Sequence, residues 1–175
     1  MVTQVAGMDS DPETVRKALQ IGAIDVSRSL SAGAAQADVI IICTPLSAYP
    51  GIIERIKPHL KAGCIVSDVG STKQTVMQAF QELPPHIWGI GGHPMAGAVY
   101  VLTPGKTVPS EQIEYLSRLL AATGARIKLM EASQHDRLAA TVSHLPHLSA
   151  VALVNLTGGR EDDLLLAAGG FRDST

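Results

Sequence analysis

The stretch ADVIIICTP at residues 37–45 decides the fold of this chain. Val39 to Ile42 form a continuous run of β-branched residues, which is typical of a strand buried on both faces, and Thr44-Pro45 ends that run. Strands of this kind occur in parallel sheets that are covered by helices on both sides. The stretch therefore predicts an α/β protein.

The segments around this stretch alternate between strand and helix patterns. Asp11-Pro12-Glu13 has the residues of a helix start, namely an N-cap, a proline at the first position and an acid in the first turn. Strands that alternate with helices of about ten residues predict βαβ units, so we expect a Rossmann-like, doubly wound, mainly parallel sheet. The other strands are predicted at 2–8, 64–69, 87–92, 100–102 and 125–130, and the other helices at 46–57, 73–83 and 109–122.

The pattern changes after Glu131. Residues 132–157 are predicted as one long apolar helix that is kinked by Pro146 and ended by Gly158-Gly159, and a short acidic helix is predicted over 161–168. We therefore expect an α/β domain over residues 1–131 and the beginning of an all-helical domain over residues 132–175.

Composition excludes several classes of protein. The chain has 175 residues, of which 46% are hydrophobic and 17% are charged, so it is not a disordered chain. A net charge of −2 argues against binding to nucleic acid or to an anionic membrane. Cys43 and Cys64 both lie in apolar, strand-like runs, which predicts two core thiols rather than a disulfide. With no signal peptide and no apolar run near the ~20 residues that span a bilayer, we expect a cytoplasmic protein.

Small or polar residues follow three of the predicted strands. They are Thr44-Pro45, the segment Asp68–Ser71, and Gly91-Gly92-His93. Ligands of open α/β sheets bind at the carboxyl ends of the strands. Each cluster alone is compatible with ordinary turn chemistry, and Ser71 alone with a helix cap, but the three together favour a ligand site.

Asp9 follows the first predicted strand. An acid at this place in a dinucleotide fold accepts hydrogen bonds from the adenosine ribose and repels a 2′-phosphate, which favours NAD over NADP. The alternative is a turn residue within Asp9-Ser10-Asp11-Pro12. The glycine-rich fingerprint that accompanies such an acid lies about 20 residues before it, and only eight residues precede Asp9. We therefore expect the sheet to lack its first βα unit.

His93 stands at the end of a predicted strand, after two glycines and before Pro94, where its side chain is accessible. A histidine can accept a hydroxyl proton as hydride leaves the same carbon. His144 and His147 share one face of the predicted helix with Ser143. For His144 and His147, a purely structural role is as plausible as a role in a site. A metal site on the three histidines lacks the usual ligand spacing, so we expect none. The remaining histidines, His59, His86 and His135, are predicted to be solvated.

Four motifs together resemble the prephenate/arogenate dehydrogenases of tyrosine biosynthesis. They are DVGSTK at 68–73, GGHPMAG at 91–97, SHLPH at 143–147 and GGFRD at 169–173, in the order and approximate spacing of that family. The resemblance implies NAD(P)-dependent oxidative decarboxylation of prephenate to 4-hydroxyphenylpyruvate, or of arogenate to tyrosine. It also implies a homodimer formed through the helical domain.

The resemblance also implies roles for the matched residues. His93 corresponds to the catalytic histidine, and Ser71 to the serine that shares its hydrogen-bond network. The substrate-binding residues would be Ser143, His144, His147 and Gly169, and the cofactor-binding residues Asp9, Thr44, Pro45 and Asp68.

Three features depart from the family pattern. The glycine-rich first unit is missing, and Ala98-Val99 joins directly to the next strand where the family has a loop. In the family, the arginine that binds the substrate carboxylate comes just after the segment that matches Asp173-Ser174-Thr175, so it falls after Thr175, and Arg172 holds a different position. A second hypothesis is therefore a non-catalytic remnant that no longer binds cofactor. A third, another β-hydroxyacid-type dehydrogenase, is disfavoured because such enzymes use a lysine in the helical domain and Glu131–Thr175 contains none.

Overall fold

The structure is a computed structural model that describes residues 2–95, 97–157 and 169–174, apart from the side chain of Arg172. The chain divides into two compact units, Met1–Ala132 and Ser133–Thr175. All described strands belong to the first unit, and the described part of the second unit is helical.

The first unit is an α/β structure with a mainly parallel sheet, as predicted. A two-stranded parallel sheet pairs β1 with β2, and a five-stranded sheet has the order β3-β4-β5-β6-β7, in which only the β5–β6 pair is antiparallel. The strands are β1 (Ala6–Gly7), β2 (Val26–Ser27), β3 (Val39–Ile42), β4 (Ile65–Asp68), β5 (Trp88–Met95), β6 (Val99–Pro104) and β7 (Arg126–Leu129).

Five helices connect these strands. They are α1 (Pro12–Gln20), α2 (Leu30–Gln36), α3 (Tyr49–Ile56), α4 (Gln74–Phe80) and α5 (Ser110–Ala121), with 3₁₀ turns at Leu46–Ala48 and Lys57–His59. Helix α1 begins as predicted, because the Asp11 carboxylate accepts the backbone N–H of Glu13 at 2.9 Å. The hydrogen bonds from Glu13 and Thr14 lower the pKa of Asp11.

Helices cover both faces of the five-stranded sheet. On one face α3 and α4 pack against Val66 of β4, and on the other α5 packs against Ile65 of the same strand. Successive side chains of a strand point to opposite faces of the sheet. Strand β4 therefore contributes to the hydrophobic core on each face, and all four of its residues are buried. This arrangement is the doubly wound architecture that the sequence predicted.

Strand β3 is less buried than predicted. Only Ile42 is buried among its four residues, and Ile41 is 40% exposed. The prediction of burial on both faces was wrong because β3 lies at the edge of the five-stranded sheet, where a strand has a neighbour on one side only. The same position leaves Cys43 exposed, whereas Cys64 is buried as predicted.

Strands β5 and β6 form a longer hairpin than predicted, with Met95 opposite Val99. His93 therefore lies inside β5 rather than after its end. Pro94 suggested a strand end, but pairing of β4 with β5 stops at Ile90, and proline is tolerated where a strand has a free side. The turn places Gly97 and Ala98 at φ values of 77° and 60°, a conformation that costs alanine more than glycine.

The described part of the second unit contains helices α6 (Ala132–Ala139), α7 (Leu145–Thr157) and α8 (Gly169–Ser174), with a π-helical turn at Ala140–His144. The single helix predicted over 132–157 is interrupted by that π turn just before Pro146, because a proline removes one helical hydrogen bond and its ring crowds the preceding turn. The acidic helix predicted over 161–168 lies outside the described residues. In the described ranges, no helix is long and apolar enough to cross a lipid bilayer.

Candidate functional site

The carboxyl ends of three strands meet at one edge of the five-stranded sheet. Ile42 of β3 is in register with Asp68 of β4. The Tyr49 hydroxyl lies within hydrogen-bond distance of both residues, since it donates to the backbone oxygen of Ile42 at 3.2 Å and to the carboxylate of Asp68 at 3.3 Å. The Asp68 carboxylate also accepts the backbone N–H of Gly92 in β5 at 2.7 Å. The end of β3, which leads into Thr44-Pro45, is thus brought together with the predicted clusters at Asp68 and at Gly92.

A buried ion pair lies at the centre of this edge. Asp68 and Lys73 are both fully buried, and the Lys73 Nζ lies 2.5 Å from Asp68 Oδ2. The ammonium also donates to the backbone oxygen of Gly92 at 2.7 Å, and the carboxylate accepts the N–H of Gly70 at 2.7 Å. Burying two charges is costly unless they are paired and their remaining hydrogen bonds are made, and this pair meets both conditions.

This environment differs from the one predicted for Asp68. The sequence suggested a cofactor ligand, but the carboxylate is surrounded by protein donors and has no exposed surface that a nucleotide can reach. Lys73 belongs to the motif at 68–73, but the sequence predicted no role for it in the site. The available signal was an acid at the end of a strand buried on both faces, which requires a cation nearby.

The glycines before His93 are required by packing. A Cβ at Gly91 would overlap Thr103 Oγ1, and a Cβ at Gly92 would overlap the backbone oxygen of Asp68. A Cβ at Gly89 would likewise overlap the side chain of Phe80. The three glycines therefore allow β5 to approach its neighbours closely.

His93 and Ser71 flank the ion pair in sequence. His93 is half-buried and follows Gly92, and Ser71 is exposed and follows Gly70. One carboxylate, that of Asp68, accepts the backbone N–H of the residue before each of them. Ser71 is not the cap of α4, because the N-cap position belongs to Lys73 and no side chain caps that helix.

The residues predicted to contact a dinucleotide are exposed. Asp9 follows β1, and its Oδ1 accepts the backbone N–H of Asp11 at 2.9 Å, so it does stabilise a turn while its carboxylate stays exposed. Thr44 and Pro45 are exposed after β3. An exposed carboxylate after a parallel strand suits ribose hydroxyls, so the residues present fit a dinucleotide. Beside them, partial desolvation of the Cys43 thiol, together with the charge of Asp68, raises the pKa of Cys43 although the residue has exposed surface.

In the second unit, Ser143 and His144 belong to the π turn and His147 to α7. Ser143 and His147 are exposed and His144 is partly buried. Gly169 is the first residue of α8.

The prediction of a solvated His135 was wrong. This residue lies on α6, as the predicted helix over 132–157 implies, but on its buried side together with Ala139, and its Nδ1 is 2.8 Å from a carboxylate oxygen of Asp136. Within the described part of the chain, no group of three or more histidine, cysteine or acidic side chains is placed to hold a metal ion.

A doubly wound sheet with polar groups at its carboxyl edge is typical of nucleotide-binding domains, because the ligands of such sheets bind at that edge. Comparison with known families is more specific. The nucleotide-binding domain of prephenate dehydrogenase matches residues 1–129, and the dimerization domain of the same enzyme matches residues 131–175. The chain belongs to the prephenate dehydrogenase family.

Individual relatives agree with this assignment. The prephenate dehydrogenase of Bacillus subtilis is 35% identical, over 98% of this chain and 53% of that protein. The crystal structure of Synechocystis arogenate dehydrogenase matches with a TM-score of 0.79 and 32% identity, covering 97% of this chain and 68% of that one. Prephenate dehydrogenase from Aquifex aeolicus, in complex with hydroxyphenyl propionate and NAD⁺, matches with a TM-score of 0.85 and 26% identity, covering 99% and 68%. The chain spans about half the length of its Bacillus relative.

Proposed function

We propose that this chain carries out the NAD-dependent oxidative decarboxylation of prephenate or arogenate in tyrosine biosynthesis. Residues 1–131 would form the nucleotide-binding domain, and residues 132–175 the beginning of a substrate-binding and dimerisation domain. Family membership supports the reaction class. The observation that carries the proposal is the shared carboxylate of Asp68, which holds the residues before Ser71 and His93.

His93 is the proton acceptor in this proposal. When bound, NAD⁺ supplies the hydride acceptor for the ring carbon that bears the 4-hydroxyl. His93 takes the hydroxyl proton as the carbon–oxygen bond gains double-bond character, and it returns the proton once carbon dioxide has left and the ring is aromatic. Ser71 shares the hydrogen-bond network of the same hydroxyl. Because aromatisation makes the step strongly downhill, positioning and proton acceptance are the main tasks of the protein.

The cofactor would be held by exposed residues at the strand ends. Asp9 would accept hydrogen bonds from the ribose hydroxyls, and its charge would disfavour the 2′-phosphate of NADP. Thr44 and Pro45 would lie against the dinucleotide. Because Asp68 is buried, it would not contact the dinucleotide directly. It would support the site through its hydrogen bonds to the backbone of Gly70 and Gly92.

The helical unit would bind the substrate and a second copy of the chain. Ser143, His144 and His147 would line the substrate pocket, with Gly169 near the substrate. A homodimer through α7 is supported by the match of this region to a dimerization domain and by its exposed apolar side chains.

Two measurements on the same preparation test the proposal. Titration with NADH, followed by nicotinamide fluorescence, should give saturable binding. Incubation with NAD⁺ and either prephenate or arogenate should release NADH and carbon dioxide in equal amounts, and the preferred substrate identifies the side-chain specificity. Saturable binding with no turnover of either compound would contradict the reaction, and the absence of binding at millimolar NADH would favour a non-catalytic remnant.

A further inference from the structure

We propose that Lys73 and Asp68 are positioning residues, whose buried ion pair fixes the backbone at Gly92 and Gly70 and thereby the placement of His93 and Ser71. Neither side chain would touch substrate or nucleotide. The inference rests on the proposed function for the roles of His93 and Ser71, but the geometry that it invokes stands independently of the reaction.

At Gly92, the ion pair makes the backbone hydrogen bonds that a neighbouring strand would make in a longer sheet. Backbone pairing of β4 with β5 ends at Ser67 and Ile90, so Gly92 lies two residues beyond the last pair. There the N–H of Gly92 binds Asp68 Oδ1 and its C=O binds Lys73 Nζ, each at 2.7 Å. The peptide groups on both sides of Gly92, including the one that leads into His93, are therefore held by two side chains.

The two side chains are themselves held on several sides. Asp68 Oδ2 accepts the Tyr49 hydroxyl at 3.3 Å as well as the N–H of Gly70, and the Tyr100 hydroxyl donates to the Asp68 backbone oxygen at 3.3 Å. Both charges are fully buried, so water does not compete for these bonds and the low local dielectric strengthens them. Only glycine at position 92 allows β5 to come this close to Asp68.

A positioning role predicts a specific kinetic effect. Displacing a catalytic group by about 1 Å costs on the order of 100-fold in rate. Loss of the ion pair should therefore lower kcat while leaving the binding of NADH unchanged, because the exposed residues proposed to bind the dinucleotide belong to other segments. A residue that serves stability alone would not separate the two quantities.

The informative variant is the double substitution Asp68→Leu with Lys73→Met, which removes the carboxylate acceptor as well as both charges. It removes both charges together, so no uncompensated charge remains buried, and the fold survives better than with either change alone. Ile56→Ala is the matched control, because Ile56, the last residue of α3, is equally buried in the core but has no part in the site. Both variants are measured well below their melting temperatures.

Two readouts decide the proposal. In the double variant, exchange of the Gly92 amide hydrogen should be faster by about tenfold or more, and kcat should fall by about tenfold or more, with the Kd for NADH within about twofold of the unsubstituted chain. Ile56→Ala should show neither change. Unaltered Gly92 exchange, or a kcat loss no larger than that of Ile56→Ala, would overturn the positioning role. If the unsubstituted chain forms no NADH, the proposed function fails, and the amide exchange alone decides whether the ion pair fixes Gly92.

Discussion

The carboxyl end of β4 buries charge, whereas helix α7 exposes hydrocarbon. Asp68 and Lys73 have no exposed surface, and their hydrogen bonds are made within the first unit. In α7, Leu148 is 63% exposed and Leu145, Val151, Val154 and Leu156 are exposed as well. The charges at the end of β4 are thus stabilised by each other and by neighbouring groups of the first unit. Helix α7 presents an apolar surface of the kind that is covered by a partner, in a segment that matches a dimerization domain.

The largest expected effect separates catalysis from stability in the first region. His93→Asn should lower kcat by about 10²–10⁴-fold, the usual contribution of a general base, with the Kd for NADH unchanged. The matched control is His86→Asn, since His86 is exposed and precedes β5. A His93→Asn variant with turnover close to that of the control would defeat the assignment of His93.

The second prediction compares two ion pairs of different burial. Lys73→Met leaves the Asp68 charge buried without a partner and should lower the free energy of unfolding by about 3–5 kcal/mol. Lys61→Met breaks the exposed ion pair in which Lys61 Nζ lies 2.7 Å from Asp38 Oδ1. This change should lower the free energy of unfolding by less than about 1 kcal/mol. Denaturant unfolding of both variants measures the difference, and equal losses would show that burial is not what makes the Lys73 pair important.

The third prediction concerns α7. Leu148→Gln replaces an exposed apolar side chain, so the free energy of unfolding of the monomer should change by no more than about 0.5 kcal/mol. Self-association should weaken, as measured by sedimentation equilibrium over a range of concentrations. Leu116→Gln serves as the contrast, because Leu116 is fully buried in α5 and its substitution should destabilise the fold. Self-association unaffected by Leu148→Gln would remove this part of α7 from the interface.

The smallest effect is a pH dependence at the same edge as the ion pair. Burial, with a contribution from the charge of Asp68, raises the pKa of Tyr100 from 10.0 to about 12. Between these values the unfolded chain loses the phenol proton first, so stability is retained below pH 10 and declines as the pH rises towards 12. Tyr100→Phe should flatten this decline in unfolding experiments across that range, with Tyr115→Phe as the exposed control. An unchanged slope in Tyr100→Phe would mean that another group causes it.

Part of the fold follows directly from the sequence. Strand β4 was predicted because a continuous apolar run needs burial on both faces, and α1 because its first residues supply their own cap. Strand β2 and helix α2 were missed. The strand has two residues, and the helix consists mostly of small residues with no apolar periodicity.

The candidate site was predicted only in part. His93, Ser71 and the strand-end residues were predicted as site residues because their types and order form recognisable motifs. The environment of Asp68 depends on Lys73 and Gly92, which are 5 and 24 residues away along the chain. Such a contact is set by how two strands end relative to each other, and local pattern does not reveal it. The exposure of Ile41 has the same origin, since the edge position of β3 is a property of the whole sheet.

The most direct test of the central claim follows the hydride itself. Prephenate that carries deuterium on the ring carbon bearing the hydroxyl is incubated with the chain and NAD⁺, and the reduced cofactor is analysed by mass spectrometry. If the site at His93 serves hydride transfer from that carbon, the NADH contains the deuterium and forms in the same amount as carbon dioxide. Unlabelled NADH, or release of carbon dioxide without NADH, would contradict the account.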